Sequence, residues 1–133
     1  MENCIFCKLV KKEIPSRVIY EDNDFISFLD IFPVSDGHIL IIPKEHVVWM
    51  QEASDQTVAG IFVFAKKLML GIKKALKADY VQVNVTGTDI PHFHVHLIPR
   101  YLDDGFARYP TKEYEHDEHA NRVAQAIQDA IPS

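Results

Sequence analysis

The chain has 133 residues and a formal net charge of −5, with 47% hydrophobic and 25% charged residues, a balance that fits one domain with its own core. That charge excludes a general nucleic-acid binder, whose phosphate contacts need a basic surface, and no apolar run approaches the roughly 20 residues that span a bilayer. Only Cys4 and Cys7 are present, too few for a secreted disulfide scaffold, and no signal-peptide pattern opens the chain, so the expected compartment is the reducing cytoplasm.

Cys4-Ile5-Phe6-Cys7 fits a zinc knuckle, a redox pair or no site at all. A redox pair usually follows a buried strand, and none precedes Cys4, which favours a metal. Ile14-Pro15-Ser16 breaks the chain before a short strand from Arg17 to Glu21. A turn through Asp22, Asn23 and Asp24 leads into its hairpin partner, Phe25 to Asp30. Pro33, Asp36 and Gly37 mark a loop, and His38 to Pro43 reads as a third strand, apolar on both faces and so central. His46 follows its end.

Ser54 offers an N-cap to a helix expected from about Asp55 to Lys77. Its apolar stripe runs through Val58, Ile61, Phe62, Ala65, Leu68, Met69, Ile72 and Leu76. Val63, Phe64 and Leu70 lie off that stripe and point to a second subunit. Tyr80 to Val85 is a fourth strand, joined by a tight loop ending at Asp89 to a fifth that starts at His92, most simply as an antiparallel hairpin. Beyond Arg100 the chain turns polar. Asp117 can cap a last helix through Ala120, Val123, Ala124 and Ile127, with solvated His116 and His119 at its start. The reading is α+β: an antiparallel five-stranded sheet with one long helix and a C-terminal helix, in a single domain over 1–133 whose core spans about 4–100.

His92-Phe93-His94-Val95-His96-Leu97 alternates imidazoles with apolar side chains, which is strand periodicity. The three histidines point to one face, each roughly 6.5 Å from the next at a rise of about 3.3 Å per residue. Such a row suits an anion with several oxygens, such as a polyphosphate. A wetted strand face, or histidines one residue apart sharing a zinc, are the other readings.

This run, with Ile14-Pro15-Ser16, Phe28-Leu29-Asp30-Ile31, Gly37 to His46 and Pro99-Arg100, resembles the histidine triad (HIT) family, and the N-terminal CxxC resembles its bacterial-type members. The resemblance implies a homodimer that binds a purine nucleotide such as AMP. It implies hydrolysis of a nucleoside phosphoramidate or dinucleoside polyphosphate beyond the α-phosphate. His94 matches the nucleophile that forms a nucleotidyl-histidine, and His96 the group that eases departure of the leaving group. Asp30 matches a ribose ligand, Ile26, Phe28 and Ile31 an apolar slot for the base, Asn84 a phosphate contact and His38 a buried support for the triad. The same resemblance makes Cys4, Cys7, His46 and His92 the ligands of a structural zinc, in place of a frayed terminus with free thiols. A nucleotide-binding or scaffolding protein with little turnover, and a nucleotidyltransferase or phosphorylase, are the competing functions. Asp89 departs from the pattern, standing where many relatives carry Ser or Thr. A carboxylate beside a phosphate repels it by roughly 1–4 kcal/mol at 4 Å, so Asp89 is expected either to turn away or to mark a different leaving group.

Overall fold

Alternation of side chains across five short strands decides the architecture. A computed structural model describes residues 3–105 and 109–132. Its strands are β1 (Val18–Glu21), β2 (Phe25–Leu29), β3 (Ile39–Pro43), β4 (Tyr80–Asn84) and β5 (Val95–Arg100), and its helices α1 (Ile5–Val10), α2 (Asp55–Leu76) and α3 (Asp117–Ala130). One antiparallel sheet runs β1-β2-β3-β5-β4. The central place of β3 follows from its sequence: all five of its residues are buried, so both faces are covered.

The two faces carry two apolar clusters. Phe25, Ile39, Ile41, Phe93, Val95 and Leu97 pack under Ile61, Phe64, Ala65, Leu68 and Ile72 of α2. Ile26, Phe28, Leu40 and Ile42 point the other way, under Cys4, Phe6 and Leu9 of the N-terminal segment. Helix α1 covers only part of that second face, and the uncovered part carries His96 and Asn84, which sit opposite each other in register.

Ser54 caps α2 as its sequence predicts, its side chain accepting from the Thr57 N–H, and Lys77 ends the helix with φ 55. Three expectations need correction. Phe64 is not free for a partner: it is 5% exposed and packs within 5.6 Å of the Phe25 ring and 5.5 Å of the Tyr20 ring. Its truncation to Ala would cost about 3–5 kcal/mol. Val63 and Leu70 do stay exposed, at 70% and 66%. Second, β5 begins at Val95, not His92, because the Phe93 N–H leaves the ladder to donate to the Val47 carbonyl at 2.7 Å. The alternation nevertheless persists through the lead-in, with Phe93 in the α2 cluster. Third, His116 is the N-cap of α3, its Nδ1 accepting from the His119 N–H, and Asp117 lies within the first turn. The CxxC opens α1, with Cys4 as its N-cap, the sulfur accepting from the Cys7 N–H at 3.4 Å. Among the described residues, no helix is long and apolar enough to cross a membrane.

Candidate active site and metal centre

The first histidine of the row belongs to a different site from the other two. His92 is fully buried, and its Nε2 lies 2.9 Å from the Pro43 carbonyl. A carbonyl only accepts, so Nε2 carries the proton and Nδ1 keeps its lone pair. That Nδ1 stands 3.3 Å from Cys4 Sγ, 3.5 Å from Cys7 Sγ and 3.3 Å from His46 Nδ1, while Cys7 Sγ and His46 Nδ1 are 3.1 Å apart. With metal–nitrogen bonds of about 2.0 Å and metal–sulfur bonds of about 2.3 Å, a regular tetrahedron has edges of roughly 3.3 Å between nitrogens and roughly 3.5 Å between nitrogen and sulfur. The four side chains match those edges, so they fit a tetrahedral metal ion. Their ligand atoms all lie within 4.8 Å of one another. The Pro43 carbonyl supplies the outer hydrogen bond that metal-bound histidines use to fix their tautomer. Burial, with the neighbouring Cys4 side chain adding to it, pushes the Cys7 thiol up to about 11. A bound divalent cation opposes that push by stabilising the thiolate.

His94 is held the opposite way round. Its Nδ1–H donates to the His92 carbonyl at 2.7 Å, leaving the lone pair on Nε2. The ring is 1% exposed, and Nε2 has no hydrogen-bond partner. Phe6 of α1 meets it edge to face, 5.3 Å between ring centroids. Asp89 has not turned away. Its Oδ1 stands 3.3 Å from His94 Nε2, at ion-pair distance though outside hydrogen-bonding geometry.

His96 receives its tautomer through a chain. The Val34 N–H donates to His38 Nδ1 at 3.0 Å, so the His38 proton sits on Nε2. Nε2–H then donates to His96 Nδ1 at 2.9 Å, and the proton of neutral His96 is left on its own Nε2. Asp30 Oδ2 lies 3.5 Å from His38 Nε2, and its Oδ1 accepts from the Phe32 N–H at 2.9 Å. Burial lowers the proton affinity of both His38 and His96. Among weaker influences, Asp30 pulls upward on both and Asp89 on His96. Both rings are thereby held neutral at pH 7.

A second chain, unread in the sequence, reaches Asn84. The Arg100 guanidinium, 4% exposed, makes paired bonds of 2.6 and 2.7 Å to the Asp104 carboxylate and donates to Gln82 Oε1 at 2.6 Å. Arginine has no acceptor, so Gln82 must present its oxygen to it and its NH2 to Asn84 Oδ1, at 3.0 Å. The Asn84 NH2 is then left as a donor on the face it shares with His96. The only sequence signal for this chain was the two-residue spacing of Gln82 and Asn84, which puts both on one face.

The apolar residues assigned to a base slot part company. Ile26 is fully buried and Phe28 is 4% exposed, both inside the α1-side cluster, whereas Ile31 is 75% exposed.

Three comparisons bear on this arrangement. The HIT domain pattern matches residues 11–103. The adenosine 5′-monophosphoramidase of Schizosaccharomyces pombe is 36% identical over 123 residues, 85% of this chain and 90% of that protein. A Streptococcus mutans crystal structure, SMU.412c, superposes with a TM-score of 0.90 at 35% identity, covering 99% of this chain and 87% of the other. A Zn-bound histidine triad family protein from Mycobacterium smegmatis does so with a TM-score of 0.77 at 30% identity, covering 97% of each. Histidine row, sheet order and both kinds of match agree, and the chain belongs to the HIT family.

Proposed function

We propose that the chain is a nucleotide hydrolase, cleaving the P–N or phosphoanhydride bond beyond the α-phosphate of an adenine-type nucleotide and releasing a monophosphate such as AMP. One observation carries the reading: the His94 lone pair, aimed by the His92 carbonyl, lies beside His96, whose proton sits on Nε2, with ring centroids 5.0 Å apart. A bare lone pair and an N–H donor thus stand side by side. The phosphoramidase name of the fission-yeast relative supports the same chemistry.

In the proposed reaction His94 Nε2 attacks the α-phosphorus, and a nucleotidyl-histidine forms as the bond to the leaving group breaks. His96 donates a hydrogen bond from its Nε2–H to the α-phosphate or the departing atom and so eases departure. Solvent supplies the proton the leaving group keeps, and water then hydrolyses the intermediate. Asn84 donates to the α-phosphate, and Asp30 accepts from ribose hydroxyls with lone pairs its present partners leave open. Ile31 offers the base an open apolar surface, with Ile26 and Phe28 in a supporting place. Cys4, Cys7, His46 and His92 hold a zinc ion, which supplies structural cross-linking and takes no part in the reaction. Soft thiolates with imidazoles favour zinc over harder cations.

The test is to incubate the protein with adenosine polyphosphates and AMP amidates and to identify products by mass. Free AMP is expected. Tight AMP binding without turnover, or AMP delivered to an acceptor other than water, would overturn the hydrolase. We further propose a homodimer through the face of α2 that exposes Val63 and Leu70. Sedimentation at micromolar concentration should show about twice the 15.3 kDa of one chain.

A further inference from the structure

Asp89 stands on the approach to the nucleophile. Its carboxylate is 3.3 Å from His94 Nε2 and its side chain is 66% exposed, so it occupies the side from which a phosphorus must come. The loop that carries it is braced. Gly87 has φ 77, which a side chain rarely adopts, and a Cβ there would meet the Trp49 ring at 3.3 Å. An arriving phosphate can push the carboxylate aside by rotating the side chain, but the short braced loop keeps it within a few ångströms of the reacting atoms. Asp30 adds a second carboxylate on the far side of His96. Arg100, the cation nearest this face by sequence, is already engaged by Asp104 and Gln82. Two carboxylates thus lie beside the reaction centre, and the Arg100 charge is offset by Asp104.

We propose that Asp89 is a specificity-determining residue that selects the leaving group by charge, favouring an amine on a P–N bond over a polyphosphate on a P–O bond. This rests on His94 being the nucleophile. With an amidate, the His94 lone pair forms the new N–P bond and the old P–N bond breaks with its electron pair going to the amine nitrogen. That nitrogen takes a proton from solvent water while the His96 Nε2–H hydrogen-bonds the α-phosphate, leaves as a neutral amine, and gains a further proton from water. Charge on the leaving side moves in the positive direction, which a neighbouring carboxylate favours. With an anhydride, the departing oxygen adds negative charge to phosphates already charged, and the same carboxylate opposes it.

The experiment compares kcat/KM for the ethylamine amidate of AMP and for P1,P4-diadenosine tetraphosphate, in wild type, Asp89→Asn, Asp89→Ser and His94→Ala. Two Asp89 variants at an exposed position guard against one that folds poorly. The amidate-to-anhydride ratio should fall about tenfold in both, mainly through faster anhydride cleavage. A fall of less than about threefold overturns the inference, as does a parallel loss on both substrates, which is what a residue that merely orients His94 would give. If wild type cleaves neither substrate, the hydrolase reading itself fails; if His94→Ala keeps the wild-type rate, the reading of His94 as nucleophile fails; and in either case Asp89 loses its role with it.

Discussion

The two clusters of polar side chains on the α1 side of the sheet make an instructive pair. Cys4, Cys7, His46 and His92 form one, and Asp30, His38 and His96 the other, with His94 between them. Both are compact, and both draw on a single five-residue stretch. They differ in which ring nitrogen the surroundings have already claimed. The Pro43 carbonyl takes His92 Nε2 and turns Nδ1 toward two sulfurs. The His92 carbonyl takes His94 Nδ1 and leaves Nε2 bare, and His38 takes His96 Nδ1 and leaves a proton at Nε2. One residue type thus presents a lone pair toward sulfur, a bare lone pair and an N–H donor, sorted by two main-chain carbonyls and the His38 ring.

Breaking the middle position should have the largest effect. His94→Ala removes the lone pair and should lower turnover by about a hundredfold or more, while calorimetry still detects AMP binding. The first group should fail differently. Cys4→Ser should lower the melting temperature by roughly 10 °C and change AMP affinity by no more than about threefold. Elemental analysis of unmodified protein should find one zinc per chain; less than about a tenth of that after supplying zinc would dismiss the metal centre.

A smaller effect sharpens the contrast at the phosphate end. Gln82→Glu keeps the bond to Arg100 but turns a carboxylate oxygen toward Asn84, whose amide must flip and offer its own oxygen to the phosphate. KM for an AMP amidate should rise about tenfold with the fold intact, whereas Gln82→Ala, which leaves the Asn84 amide free to rotate, should cost less. An unchanged KM in Gln82→Glu would remove Asn84 from the site.

The smallest effect is on pH dependence. Burial holds His38 and His96 below the ordinary value of 6.5. The unfolded chain therefore takes up protons at higher pH than the fold does. Stability from this pair is complete above about pH 6.5 and declines as pH falls toward the depressed folded values. The urea midpoint should be lower at pH 5.5 than at pH 7.5, and His38→Gln should make that slope shallower. Comparing the two slopes separates the pair from the metal ligands, which also gain protons in acid.

Much of this was legible along the chain because period and pattern are local. The alternation of Phe93, Val95 and Leu97 set the face of all three histidines, and the unbroken apolar run of Ile39 to Ile42 placed β3 at the centre. Phe64 escaped because it lies only one residue from the stripe residue Ala65. A single sequence fixes a helix's phase no better than that, and Phe25 and Tyr20, far off in the chain, decided it. Helix α1 is six residues long, too short for a 3.6-residue period to show. The direction of Asp89 and the chain from Arg100 to Asn84 depend on loop geometry and cross-strand register, which residue spacing does not encode. Chemistry-bearing residues were visible, and the nitrogen each would use was not.

Cys4 and His92 are 88 positions apart, yet their ligand atoms lie 3.3 Å from each other. In polymer terms a metal held there is a cross-link that closes most of the chain into a ring, and long rings lose the most unfolded-state entropy on closure, on the order of 4–5 kcal/mol by analogy with a disulfide. The cross-link also sets an order of events. Phe6, which meets the His94 ring, cannot settle until the stretch around His92 has been made and laid against β3. The neighbour of the His94 ring thus precedes in the chain nearly all of the surface on which it settles.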